Sequence, residues 1–183
     1  MKKHAATVVG MAAILSALIA FPLWGGAQEK GGEKPAAPGV AEMERLKFYL
    51  GEWDYTESYP NGAKNTGVYI SKLGPGGKSF IQNFHSKGPV GEFEGLLIMT
   101  WDPKEKAYKE YVFSGDAPGC LIETGQFEGD VLIYRGELSM GDRKVALRNT
   151  TRLMAPGKIV SEQYVASSGG PERLIVRVEA TKR

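Results

Sequence analysis

The sequence predicts an all-β fold: an antiparallel up-and-down barrel of about ten strands with one short helix ahead of it. Three observations carry that prediction. Turn signals punctuate the chain at roughly the 8–12-residue spacing of all-β folds. The segments between them are rich in Val, Ile, Tyr, Phe and Thr. After the first short stretch of helical periodicity no second one follows, so βαβ units and a parallel sheet are not expected.

Taken from the N-terminus, the chain opens on an address. Met1-Lys2-Lys3 is a positive start, Ala5 to Leu23 is almost wholly apolar, and Gly25-Gly26-Ala27 supplies the small residues of a cleavage site. Residues 1–27 therefore read as a signal peptide, and the protein as exported to the periplasm or secreted. The rival reading is an uncleaved anchor, because the apolar run approaches the ~20 residues that span a bilayer. No Cys follows the run, so a lipoprotein anchor is not expected. Lys2 and Lys3 are the only Lys, Arg, Asp or Glu in this segment. Cleavage would leave 21 Lys+Arg against 21 Asp+Glu, a neutral chain with no footprint for nucleic acid or an anionic membrane.

Residues 28–40 (QEKGGEKPAAPGV) are rich in Gly, Pro and charge and read as a flexible linker, leaving 41–183 as one domain. Val40, Met43, Leu46 and Leu50 recur at helical spacing, and Gly51 would end that helix. Strands then alternate with turns such as Pro60-Asn61-Gly62, Asp102-Pro103-Lys104, Glu128-Gly129-Asp130 and Pro156-Gly157. In LGEWDYTESY, Trp53, Tyr55, Glu57 and Tyr59 fall on one face of a strand. In KVALRNTTRL, Val145, Leu147 and Leu153 oppose Lys144, Arg148 and Arg152. The last segment, ERLIVRVEAT, alternates Leu174, Val176, Val178 and Ala180 with Arg173, Arg177 and Glu179. Strands joined by tight turns pair antiparallel, and they form a sandwich or close into a barrel; closure removes the exposed edges.

A short helix, then Gly51-Glu52-Trp53 leading into the first strand and a β-meander, resembles the lipocalin-like (calycin) barrels. The resemblance implies that Gly51 and Trp53 plug one barrel end, with Arg177 or Arg173 packed on the indole as a cation–π contact. LKFYLGEWDYTESY, LIMTWDPKEKAYKEYVFS and FEGDVLIYRGEL together are similar to bacterial domain-of-unknown-function family 1579, from about residue 41 to the end. That likeness implies a fold and brings no catalytic residues. The related nitrobindin-like haem barrels hold iron through a His near the C-terminus. Here the histidines are His4 and His85, so haem is not expected.

Most chemical motifs fail on spacing. Gly76-Gly77-Lys78-Ser79 is not a phosphate loop, because Lys72 stands where its first glycine belongs. The sequence has no nucleophile elbow and no HExxH, and Cys120, its single cysteine, can form no intrachain disulfide. In its apolar setting Cys120 is expected to pack as a small hydrophobe. Asn149-Thr150-Thr151 fits a glycosylation sequon but lies mid-strand. No catalytic residue, metal or cofactor is thus expected.

The aromatics suggest a lumen. Trp53, Tyr55, Phe80, Phe84, Trp101, Tyr111, Tyr134 and Tyr164, together with Glu57, are the candidate ligand-binding residues. The same rings could simply fill a core, and Glu57 could stay wet beside the turn at 60–62. Two functions stay open: a non-enzymatic barrel holding a small, largely apolar molecule, and a solid-cored interaction module of the cell envelope. An acid–base enzyme using Glu57 or His85 is a third reading with little to support it.

Overall fold

A computed structural model describes residues 39–140, 143–167 and 170–183. The signal segment over 1–27, and all of the linker except Gly39 and Val40, lie outside them. Helix α1 spans Val40–Glu44 and passes into a 3-10 turn, Lys47–Tyr49. Ten strands follow. They are β1 (Gly51–Ser58), β2 (Lys64–Leu73), β3 (Ser79–Gly88), β4 (Gly91–Asp102) and β5 (Ala107–Ser114). The second half is β6 (Leu121–Glu128), β7 (Val131–Met140), β8 (Arg143–Ala155), β9 (Lys158–Ala166) and β10 (Arg173–Lys182).

Each strand pairs antiparallel with the next, and β10 returns to pair with β1, so the sheet closes in strict up-and-down order. The closing register sets Trp53 opposite Lys182 and Ser58 opposite Arg177. Closure leaves no edge strand, and a barrel of about this strand number has an interior that side chains fill or that one small ligand occupies.

The period-2 pattern decides which residues face inward. On β1, Trp53 and Tyr55 are buried while Glu52 and Asp54 are exposed. At the helix end of the barrel the interior is packed solid. Trp53 is 1% exposed, and its indole N–H donates to the Tyr49 carbonyl at 2.9 Å. Met43 and Leu46, brought in by α1 and the turn after it, join Phe80, Met99 and Leu132 in the same cluster. The Tyr108 hydroxyl donates to the Glu42 carbonyl at 2.8 Å, tying α1 to β5.

Trp53 therefore has the position of a plug, and the cation nearest its ring is Lys182, its cross-strand partner, at 5.8 Å. Arg177, expected from the sequence to take that place, sits farther along β10. It donates instead to Glu162 at 2.6 Å and Glu179 at 3.0 Å. Cys120, expected to pack, is exposed at the end of the loop before β6. At the opposite end a smaller apolar cluster forms from Val145, Leu147 and Val165, with Leu121, Leu138 and Ile175 against it.

Candidate functional site: a polar chamber in the barrel lumen

Between these two apolar clusters the lumen is not filled. A cavity of about 230 Å³ lies there, walled by rings and aliphatic side chains such as Tyr55, Tyr69, Phe84, Leu97 and Val112. Three carboxylic acids, Glu57, Glu110 and Glu123, also face it, and no Lys, Arg or His is among its lining residues.

Glu110 and Glu123 are neighbours in its wall. On β5, Tyr108, Glu110 and Val112 alternate inward while Lys109, Tyr111 and Phe113 point out. On β6, Glu123 falls directly opposite Glu110. Like charges facing across a strand pair repel, so the two acids cannot both ionise cheaply. Glu110 is 7% exposed and Glu123 1%. Burial, then the charge of Glu123, pushes the Glu110 carboxyl well above its ordinary value, which keeps it protonated and makes it the donor to Glu123. Burial also raises Glu123, to about 7, against the hydrogen bonds it accepts from Asn149 and Glu110. The Asn149 amide reaches across from β8 and donates to the two Glu123 oxygens at 2.8 and 2.7 Å.

Two glycines make the space for this arrangement. Gly136 on β7 is the cross-strand partner of Glu123, and a Cβ there would stand 2.8 Å from Glu123 Cγ. Gly125 is the partner of Tyr134, whose ring lies over it so closely that a Cβ would meet Cδ1 at 2.4 Å. The ring thus lies across β6 with its hydroxyl in the chamber wall, in the field of both carboxyls. Tyr134 is 2% exposed, and its hydroxyl has no hydrogen-bond partner among the described residues. Gln82 Oε1 on β3 and Asn149 Oδ1 on β8, also lining residues, are likewise unpartnered among the described residues.

Other polar groups of the lining do have partners. Thr151 and Ser161 share a hydrogen bond at 2.8 Å, and Thr151 also reaches the Tyr49 hydroxyl. Glu57 faces the chamber and accepts from the Tyr59 hydroxyl at 2.9 Å and the Ser86 hydroxyl at 3.1 Å. Burial raises Tyr55 to about 12 and Tyr69 beyond the ordinary tyrosine range, so both stay neutral.

Of the residues singled out from the sequence, Tyr55, Glu57, Phe84 and Tyr134 line the chamber together. Trp53 and Phe80 lie in the solid cluster, with Trp101 packed against it, edge-on to Tyr108 at 5.0 Å. Tyr111 alternates with two lining residues and points outward. Tyr164 is outside as well, beneath the Arg148 guanidinium at 4.1 Å and donating to Glu162 at 2.7 Å. His85 is on the exterior, 2.8 Å from Glu92. Sequence reasoning missed Glu110, Glu123 and Asn149. The available signal was a carboxylate on an otherwise apolar row: Tyr108-x-Glu110-x-Val112 and Leu121-x-Glu123-x-Gly125-x-Phe127. Among the described residues no cluster of three or more His, Cys, Asp or Glu is placed to hold a metal.

No family model matches the chain, and no curated protein matches it. Solved structures do resemble it. Rv2717c from M. tuberculosis superposes with a TM-score of 0.54 at 14% identity, covering 80% of this chain and 98% of its own. The S-type phycobiliprotein lyase CPES from Guillardia theta has a TM-score of 0.48 at 12% identity, over 78% and 90% of the two chains. A de novo designed fluorescence-activating β-barrel has a TM-score of 0.42 at 14% identity, over 75% and 95%. At such identities what is shared is the fold, a lipocalin-like (calycin-like) barrel.

Proposed function

We propose that the protein is an exported, non-enzymatic barrel that holds one small, largely apolar molecule in its lumen. The observation that carries this reading is the chamber itself: about 230 Å³ of space, mostly apolar in its walls and with a few convergent polar groups. That composition is the usual one for small-molecule sites. A solid-cored interaction module, the rival reading, gives no reason for unfilled space beside unpartnered polar atoms.

Size narrows the occupant. An engineered apolar cavity of ~150 Å³ takes up benzene, while drug-sized sites run to roughly 300–1,000 Å³. A volume of about 230 Å³ suits a single ring with a short arm, or a short chain, rather than a long acyl tail. Burying eight carbons contributes about 6 kcal/mol at ~0.8 per methylene, before the costs of association. Micromolar affinity requires about 8 kcal/mol, so the polar groups of the wall must supply the difference.

Export rests on the pattern of residues 1–27. N-terminal sequencing of the protein from its own host tests it, with Gln28 the expected first residue. Native mass spectrometry of the same preparation tests the ligand. A constant small added mass, lost on denaturation, is expected. A chain that is always empty and takes up no small aromatic probe would sink the reading.

A further inference from the structure

Building on the lumenal-ligand reading, we infer that the molecule held there is an organic cation: a primary amine on a small apolar body, its ammonium seated against Glu110, Glu123 and the Tyr134 hydroxyl. Charge, hydrogen-bond count and wall chemistry converge on it.

The lining residues include three carboxylic acids and no basic residue, so the chamber supplies no positive charge to pair with a buried negative one. An anionic ligand would add to the repulsion. An uncharged apolar one would leave the Tyr134 hydroxyl as it now stands, buried and unpartnered. An ammonium has three donors and no acceptor. The acceptors nearest one another are the Glu110 carboxylate, the Glu123 carboxylate and the lone pair of the Tyr134 hydroxyl, with Gln82 Oε1 and Asn149 Oδ1 also unpartnered in the lining. Asn149 cannot compete for the cation with its amide protons, since both Nδ2 contacts go to Glu123. The faces of Tyr55, Tyr69 and Phe84 suit the apolar body and attract the positive end.

A proton balance follows. In the empty chamber burial holds a proton on Glu110 and raises Glu123 to about 7. A cation favours their ionised forms, so its binding releases protons, and its affinity rises with pH up to and beyond about 7. The other titratable groups facing the pair are Tyr49, Tyr55, Glu57, Tyr69, Tyr108 and Tyr134. Burial raises each of these tyrosines, so they stay neutral in this range. The lining contributed by β3, β4, β8, β9 and β10 has no ionisable group.

The test is isothermal titration of the full-length exported protein at pH 8 with three matched probes: 2-phenylethylamine, propylbenzene and 3-phenylpropanoate. The amine is expected to bind roughly tenfold or more tighter than propylbenzene, the margin of one charge-assisted hydrogen bond, and the carboxylate weakest. Heats measured in two buffers should show protons released with the amine and none with propylbenzene. In Glu110→Gln/Glu123→Gln the amine preference should vanish while propylbenzene still binds. If propylbenzene matches the amine in the unsubstituted protein, the cation is wrong and the lumenal site stands. An amine preference that survives in the double variant overturns the assignment to the acid pair. Binding of none of the three overturns both readings.

Discussion

At the closed end of the barrel, Trp53, Phe80, Leu46 and Leu132 are almost wholly removed from water, and the indole N–H that accompanies them has its acceptor. One layer further into the same lumen, two carboxyl groups face each other, and a tyrosine hydroxyl at 2% exposure has no partner. On β7 the two regions are adjacent inward positions of one strand, Leu132 in the first and Tyr134 in the second. The first region obeys the rule that buried polar groups are satisfied; the second breaks it. Departures of this kind, in a fold otherwise consistent with its sequence, mark sites kept for something other than stability.

The sharpest way to break the comparison is at the plug. Trp53→Ala should cost about 3–5 kcal/mol in urea unfolding, the range for deleting a buried tryptophan. A loss well under 1 kcal/mol would mean the closed end is not where the fold is held. The chamber should respond to pH instead. Glu123 is raised from 4.5 to about 7, so the unfolded chain ionises it first and stability falls as pH rises from about 4.5 through 7. For Glu123 the fall is on the order of 3 kcal/mol, and Glu110, raised further, extends it to higher pH. A barrel more stable at pH 8 than at pH 5 would contradict this.

Smaller effects sharpen the contrast. Tyr134→Phe removes a buried hydroxyl with no hydrogen-bond partner among the described residues, so the barrel without ligand should gain about 1 kcal/mol. On the outside, Arg177→Ala should change stability by roughly 0.5 kcal/mol or less, because its pairs with Glu162 and Glu179 are solvent-screened. Equal responses of Arg177 and Tyr134 would erase the distinction between wall and surface.

The barrel was legible because turns and period-2 rows are local. Trp53, Tyr55 and Glu57 fall on one face by spacing alone, and the structure keeps them there. The acid pair was not legible, because Glu110 and Glu123 meet only through the register of β5 on β6. Gly136 and Gly125 look like ordinary strand glycines until pairing sets them under Glu123 and Tyr134. Tyr111 and Tyr164 are candidates from the sequence as aromatics in strands, and AYKEYVFS and KIVSEQYVA carry apolar residues on both faces, so neither row declares itself inward. Lys182 over Trp53 in place of Arg177 depends in the same way on the closing register between β1 and β10.

The central claim is that the chamber gives up stability that the plug supplies. It is tested most directly by urea unfolding of Glu110→Gln/Glu123→Gln beside the unsubstituted protein at pH 8. The double variant keeps the shape and removes both buried ionisations, so it should be the more stable, Glu123 alone contributing on the order of 3 kcal/mol, with the difference vanishing toward pH 4. A double variant that is less stable at pH 8 would show the acid pair to be part of what holds the barrel together, and would contradict the account.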